Sequence, residues 1–231
     1  MTDSEFNNEL QTTTVVKLPK LRDVVLEDLS WLEYLWKSNQ WRQLDLPNLT
    51  RLSIHNCKHL RHVITTSMVG SLMQLQELHV AHCRDMWVII KVDVDDDDSE
   101  RKVLLPCLKS LKLEHLRWLD GFCRGQKEFL LPSLSRLVIK QCPEISVFTS
   151  GFIAVPELKV IETNEGLIDL GEQDINSFII TNKQKKELQL NDTFLVPLSS
   201  RIQDVRILGL HISSGADRVG WIRSLEMAQQ K

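Results

Sequence analysis

The sequence predicts an α/β solenoid in which each repeat supplies one short parallel β-strand and the convex side carries irregular loops or short helical turns. Three observations predict it: a leucine-bearing phrase that recurs six times, a nearly constant step between its copies, and alternation of apolar and polar residues within it. The copies are Leu18–Leu29, Leu46–Cys57, Leu72–Cys83, Leu105–Leu116, Leu131–Cys142 and a decayed Val155–Thr163. Their starts at 18, 46, 72, 105, 131 and 155 give steps of 28, 26, 33, 26 and 24, close to the roughly 20–29 residues of leucine-rich repeats.

Within the phrase LxxLxLxx(C/L), the two apolar residues two apart lie on one face of a strand, and their neighbours turn inward as the chain bends. Each strand is too short to bury its apolar side alone, so the copies stack in parallel and share one core. A second apolar group, such as Val63 and Ile64 or Ile145, Val147 and Phe148, is expected behind the sheet. Thr66 and Ser67 ahead of Met68–Leu72 predict one capped helical turn there. Cys57, Cys83 and Cys142 take the position that Leu29 and Leu116 hold elsewhere, so they are read as small buried hydrophobes.

The long step contains an acidic insert, 92–102, with six carboxylates between 93 and 100. Such a run repels itself and belongs in a solvated loop. It lacks the spacing and glycine of an EF-hand, which disfavours calcium. The chain thus divides into an N-terminal flank, 1–17, a leucine-rich-repeat domain of about six irregular repeats, 18–165, and a non-repeat tail, 166–231, expected to be partly disordered. In the tail, 183–187 reads as a charged linker, 206–213 as one strand and 221–227 as a helical turn or two. Neither end of the stack carries an obvious cap.

Composition narrows the function. At 42% hydrophobic and 26% charged residues, the 231-residue chain can bury a core. A net charge of −3 gives no global positive field, which disfavours nucleic acid and anionic membrane as partners. No stretch approaches the ~20 apolar residues of a spanning helix, and Met1–Gln11 is too polar for a secretory signal. A soluble, intracellular chain is expected. Five cysteines, odd in number and without a CxxC pair, argue against a disulfide scaffold or a clustered zinc site. Without GxSxG or HExxH, and on an open sheet, catalysis is not expected, nor is a cofactor.

Stacked repeats place equivalent outward residues on neighbouring strands about 4.8 Å apart. The central outward column reads Val25, Ser53, His79, Lys112, Val138 and Glu162. Before it come Asp23, Arg51, Glu77, Ser110, Arg136 and Val160, and after it Glu27, His55, Ala81, Glu114, Lys140 and Asn164. Mixed signs suit a protein ligand better than a phosphate backbone. Arg51, Ser53, His55, Glu77, His79, Lys112, Glu114, Arg136, Val138 and Lys140 are therefore the candidate concave-face contacts, although mixed charges also serve solubility alone. His55-Asn-Cys57-Lys-His59 and His79-Val-Ala-His82-Cys83 invite a metal reading, but cysteines point inward and His79 outward. His82 and His115 share an outward column, leaving only a weak two-ligand pair. Trp31, Trp36, Trp41 and Trp118 are read mostly as packing or loop anchors, with any exposed one an interface candidate.

The (L/V)PxLxxLxIxxC and LxLxxLxxL phrases, the segment from Trp31 to Trp41 and Ser67–Leu78 resemble the C-terminal repeats of plant intracellular disease-resistance proteins. The likeness is to the coiled-coil, nucleotide-binding, leucine-rich-repeat class, especially the large resistance clusters of composite-flowered plants such as lettuce; it spans about 15–180, and Asp174–Ile180 resembles the family's closing segment. The resemblance implies a cytoplasmic or nucleo-cytoplasmic module. In a defence response it would recognise a pathogen effector or a guarded host protein and restrain a nucleotide-binding receptor domain. Gly121-Phe-Cys-Arg-Gly125-Gln-Lys127 has the wrong spacing for a phosphate loop, so no nucleotide is expected on this chain. An F-box-type substrate adaptor and a nonfunctional receptor fragment are the alternatives.

Overall fold

A computed structural model describes residues 16–35, 44–93, 102–185 and 188. Trp36, Trp41, most of the acidic insert and the expected strand and helix at 206–213 and 221–227 lie outside the described residues. The coil falls within the first of two units, 1–183.

The recurring phrase forms the main sheet. Its strands are β1 (Asp23–Glu27), β2 (Arg51–His55), β3 (Glu77–Ala81), β4 (Ser110–Glu114), β5 (Arg136–Lys140), β6 (Val160–Thr163) and β7 (Gly166–Asp169). β1 to β6 pair in parallel in chain order, and β7 returns antiparallel against β6. Every parallel pair joins equivalent residues: Leu52 faces Leu78, Leu78 faces Leu111, and Leu111 faces Leu137. A solenoid in the leucine-rich-repeat manner is what the periodicity requires, since inward Leu52, Ile54, Leu78, Val80, Leu111, Leu113 and Leu137 are all almost wholly buried.

Two tight turns bracket each strand from β1 to β5. Before it, the second leucine of LPxL donates its N–H to the carbonyl of the first, as in Leu49 to Leu46 and Leu134 to Leu131. Proline fits there because its fixed φ suits the second residue of such a turn. After it, a similar bond links Leu60 to Cys57, Met86 to Cys83 and Leu119 to Leu116. Between strand and second turn stands one residue in the left-handed region: Asp28, Asn56, His82, His115 and Gln141, with φ from 52° to 58°. That conformation is tolerated best by short polar side chains among non-glycine residues. It turns each amide toward the next turn, so Asn56 N–H donates to the Ala81 carbonyl and His82 N–H to that of Glu114.

The convex side is more regular than its sequence suggests. Ile64–Thr65, Val88–Lys91 and Gly121–Cys123 form a second parallel row, which the Cys123–Thr149 bridge continues. A third row is built by Lys102–Leu104, Glu128–Leu130 and Ile153–Ala154, and by Val16–Lys17 with Leu44–Asp45 nearer the N-terminus. In the turn between these two groups, a 3-10 helix, Thr66–Ser71, replaces the strand. This is the predicted helical turn, differently capped: the Thr65 hydroxyl meets that of Ser67 at 3.0 Å and caps no backbone N–H, while Asp93 accepts from the Ser67 N–H at 3.0 Å. Inside, Phe122 stacks on Phe148 at 4.8 Å and meets Phe129 edge-on at 5.7 Å. Gly121 belongs to this packing, because a Cβ there would stand 2.6 Å from the Val147 carbonyl oxygen.

The end of the stack beyond β6 is closed, at the segment Asp174–Ile180 whose likeness to a closing segment was its one sign in the sequence. The β6–β7 hairpin turns at Gly166, φ +109°, and a helix at 175–185, α1, follows. Asp174 caps α1, accepting from the N–H and hydroxyl of Ser177 at 3.0 and 2.6 Å. Asn176 then does what another turn of backbone would do. Its Oδ1 accepts from the N–H groups of Phe148 and Thr149 at 2.9 and 3.1 Å, and its amide donates to the Thr149 carbonyl at 3.1 Å. Ile175, Phe178 and Ile179 bury themselves in the core.

Candidate functional site

The main sheet holds the three outward columns in the register the repeats predict. Val25, Ser53, His79, Lys112, Val138 and Glu162 follow one another across β1 to β6. Asp23, Arg51, Glu77, Ser110 and Arg136 form the column before, and Glu27, His55, Ala81, Glu114 and Lys140 the column after. Asn164 lies past the end of β6, where its side-chain oxygen accepts from the Gln141 N–H at 3.0 Å.

The charges are cross-linked between strands. Arg51 donates to Asp23 at 2.6 Å, and this bond holds the Asp23 carboxyl below the usual carboxylate range. Arg136 and Lys140 both donate to Glu162, at 3.0 and 2.5 Å, and together they lower its proton affinity. His79 Nε2 lies 2.9 Å from Glu114, yet burial outweighs that carboxylate and pushes the imidazole below its ordinary value. His55 meets His79 edge-on at 4.5 Å and bonds the Ser53 hydroxyl at 2.8 Å. Among the described residues no carboxylate bonds His55, so Ser53 and His55 lack the orienting third group of a nucleophile–base pair. Lys112 is the cation of this face with no hydrogen bond or ion pair among the described residues. Glu77 feels Arg51 across the ladder without a direct bond.

Two readings from sequence need correction. Val138 sits in the central column between Lys112 and Glu162 but is only 2% exposed, so its short side chain offers a partner almost no surface. Trp31 and Trp118 take the second of the two readings given them, interface candidate rather than packing residue: they are 76% and 48% exposed, at the turns that follow β1 and β4. Trp87, which periodicity did not single out, is 63% exposed on the same flank. His82 and His115 do meet, ring on ring at 4.2 Å. Among the described residues no three of His, Cys, Asp and Glu converge as a metal site would require. The thiols are deep: burial pushes Cys83 up to about 12 and Cys142 up to about 11, which makes them poor nucleophiles.

The stacked parallel strands and the in-register outward face define a leucine-rich-repeat type of solenoid. Residues 1–84 match the family of leucine-rich repeats of RPS2-like plant disease resistance proteins. A probable disease resistance protein of Arabidopsis thaliana is 26% identical over 128 residues, which is 55% of this chain. The chain spans 14% of that relative's length. No solved structure matches the chain. Both similarities point to the leucine-rich-repeat region of plant disease resistance proteins.

Proposed function

We propose that the chain is the protein-binding repeat module of a plant intracellular immune receptor of the coiled-coil, nucleotide-binding class, like those of the lettuce-type clusters. It acts in the defence response from the cytoplasm by recognising a pathogen effector or a guarded host protein, and by contacting a nucleotide-binding receptor domain. The observation that supports this most is the unbroken register of the outward columns, which mix charges of both signs with polar residues and pair like positions across the parallel strands. A rigid sheet of that kind presents a preorganised pattern to a folded ligand. Arg51, Ser53, His55, Glu77, His79, Lys112, Glu114, Arg136 and Lys140 form the contact surface, with unpaired Lys112 at its centre.

The test is a binding panel with the full chain against purified secreted pathogen proteins, candidate guarded host proteins and nucleotide-binding domains of plant resistance proteins. The expected result is saturable binding by a member of the panel that weakens at least about tenfold in R51E/K112E/R136E, while the circular-dichroism melt stays in place. Binding that ignores this triple change but disappears on substitution of the convex side overturns the reading.

A further inference from the structure

On the flank of the coil, beside the turn that follows each main strand, lies a groove of about 440 Å³ lined by Asp85, Trp87, Trp118, Asp120, Glu144 and Lys183. It is separate from the concave columns, and nothing in the proposed function uses it. Its walls follow from the repeat. The residues before the closing position of that turn are Trp31, His59, Asp85, Trp118 and Glu144. Two residues further on, backbone bonds link successive turns from Trp87 to Asp120 and from Asp120 to Ser146, with amide-to-carbonyl distances of 2.9 and 3.0 Å. In one column an indole stands between two carboxylates, and in the other an indole stands beside one.

The groups divide into framework and free. Asp120 is committed: its carboxylate takes Arg124 at 2.9 Å and the Ser146 hydroxyl at 2.7 Å, with the Trp87 indole N–H at 3.4 Å. Asp85 is held only by exposed His59 at 2.9 Å. The Glu144 carboxylate has no hydrogen bond or ion pair among the described residues. Against three carboxylates the lining offers one ammonium, Lys183, and that cation reaches only the Glu144 backbone carbonyl, at 3.5 Å. The same flank already stacks guanidinium on aromatic rings, Arg117 over Trp118 at 5.3 Å and Arg61 over Tyr34 at 5.9 Å. Exposed indoles alternating with acids favour cations, through the ring quadrupole and through Coulomb attraction. They disfavour an anionic lipid surface or a nucleic acid.

We propose that this groove binds an extended Arg- or Lys-bearing segment of a partner protein, with side chains at alternate positions reaching the indoles of Trp87 and Trp118 and their charges meeting Asp85 and Glu144. Trp87 and Trp118 stand on adjacent turns but in different columns, so the line between them is a diagonal; an extended peptide crossing the columns at about 45° projects its roughly 6.6–6.8 Å between alternate residues onto the repeat step of about 4.8 Å.

The test uses the full chain and a labelled nine-residue peptide carrying arginine at alternate positions, with a control in which glutamate replaces every arginine. Fluorescence anisotropy is expected to show saturable binding of the arginine peptide alone, weakened by added salt. W87A/W118A and, separately, D85N/E144Q each lower affinity at least about tenfold, W87F/W118F keeps most of it, and K183A raises it by removing the resident cation. Neutralising the concave acids with E77Q/E114Q leaves it unchanged. Circular-dichroism melts confirm that each variant is folded. Equal binding of the two peptides, indifference to both groove double variants, or loss in E77Q/E114Q instead overturns the proposal.

Discussion

Single residues carry most of what periodicity could not show. His62 is buried beside the Tyr34 ring, 5.6 Å away, and burial with nearby Lys91 lowers its pKa from 6.5 to about 4. The fold therefore prefers the neutral imidazole. Its contribution to stability is whole above pH 6.5 and is lost as pH falls toward about 4, by at most about 3 kcal/mol. Urea midpoints at pH 7.5 and 4.5 should show a smaller acid loss in His62→Asn than in the parent, and equal losses would refute this assignment. Thiol labelling gives a second check at this scale. Cys57, Cys83, Cys123 and Cys142 are buried and Cys107 is partly open, so Cys107 should react under native conditions and the others only with denaturant. The left-handed residues give a third: His82→Val, placing a β-branched side chain at φ 57°, should cost about 1–2 kcal/mol in a chemical melt. No glycine marked this column in the sequence. Asp, Asn, His and Gln look like ordinary surface residues until the backbone is seen, and that is why the His82–His115 contact was legible only as a shared column.

At the scale of elements, legibility followed local chemistry. The main strands were readable because Leu52, Leu78 and Leu111 recur at fixed offsets and the pairing joins like with like, so aligning the phrases also aligns the columns. The second and third strand rows were not, because stretches such as Ile64–Thr65 and Ile153–Ala154 are two residues long and show no alternation. Their strand character comes from stacking neighbours rather than from intrinsic preference. The cap was hidden for a different reason, since its central contact is one side-chain amide imitating a peptide group. Asn176→Ala removes three hydrogen bonds and leaves the Phe148 and Thr149 backbone groups without them. A loss of about 1–3 kcal/mol is expected by urea denaturation, whereas Asn182→Ala, further along α1, serves as a control with little effect.

For the whole molecule, the coil separates two surfaces with different chemistry. The concave columns are cross-linked by opposite charges, while the flank alternates indoles with carboxylates, and both patterns come from the same repeat read at different offsets. The sequence made the first accessible because outward positions sit between buried ones. It concealed the second because Trp87 and Trp118 occupy turns, where burial has no period and an aromatic residue is as readily a packing group as a contact. Asn176 has a consequence of another kind. Since it occupies the Phe148 and Thr149 backbone groups at the edge of the second row, a further copy of the phrase could pair there only by displacing it. Adding a coil at that edge therefore means undoing the Asn176 bonds first, whereas a copy placed among β2 to β5 meets like neighbours on both sides.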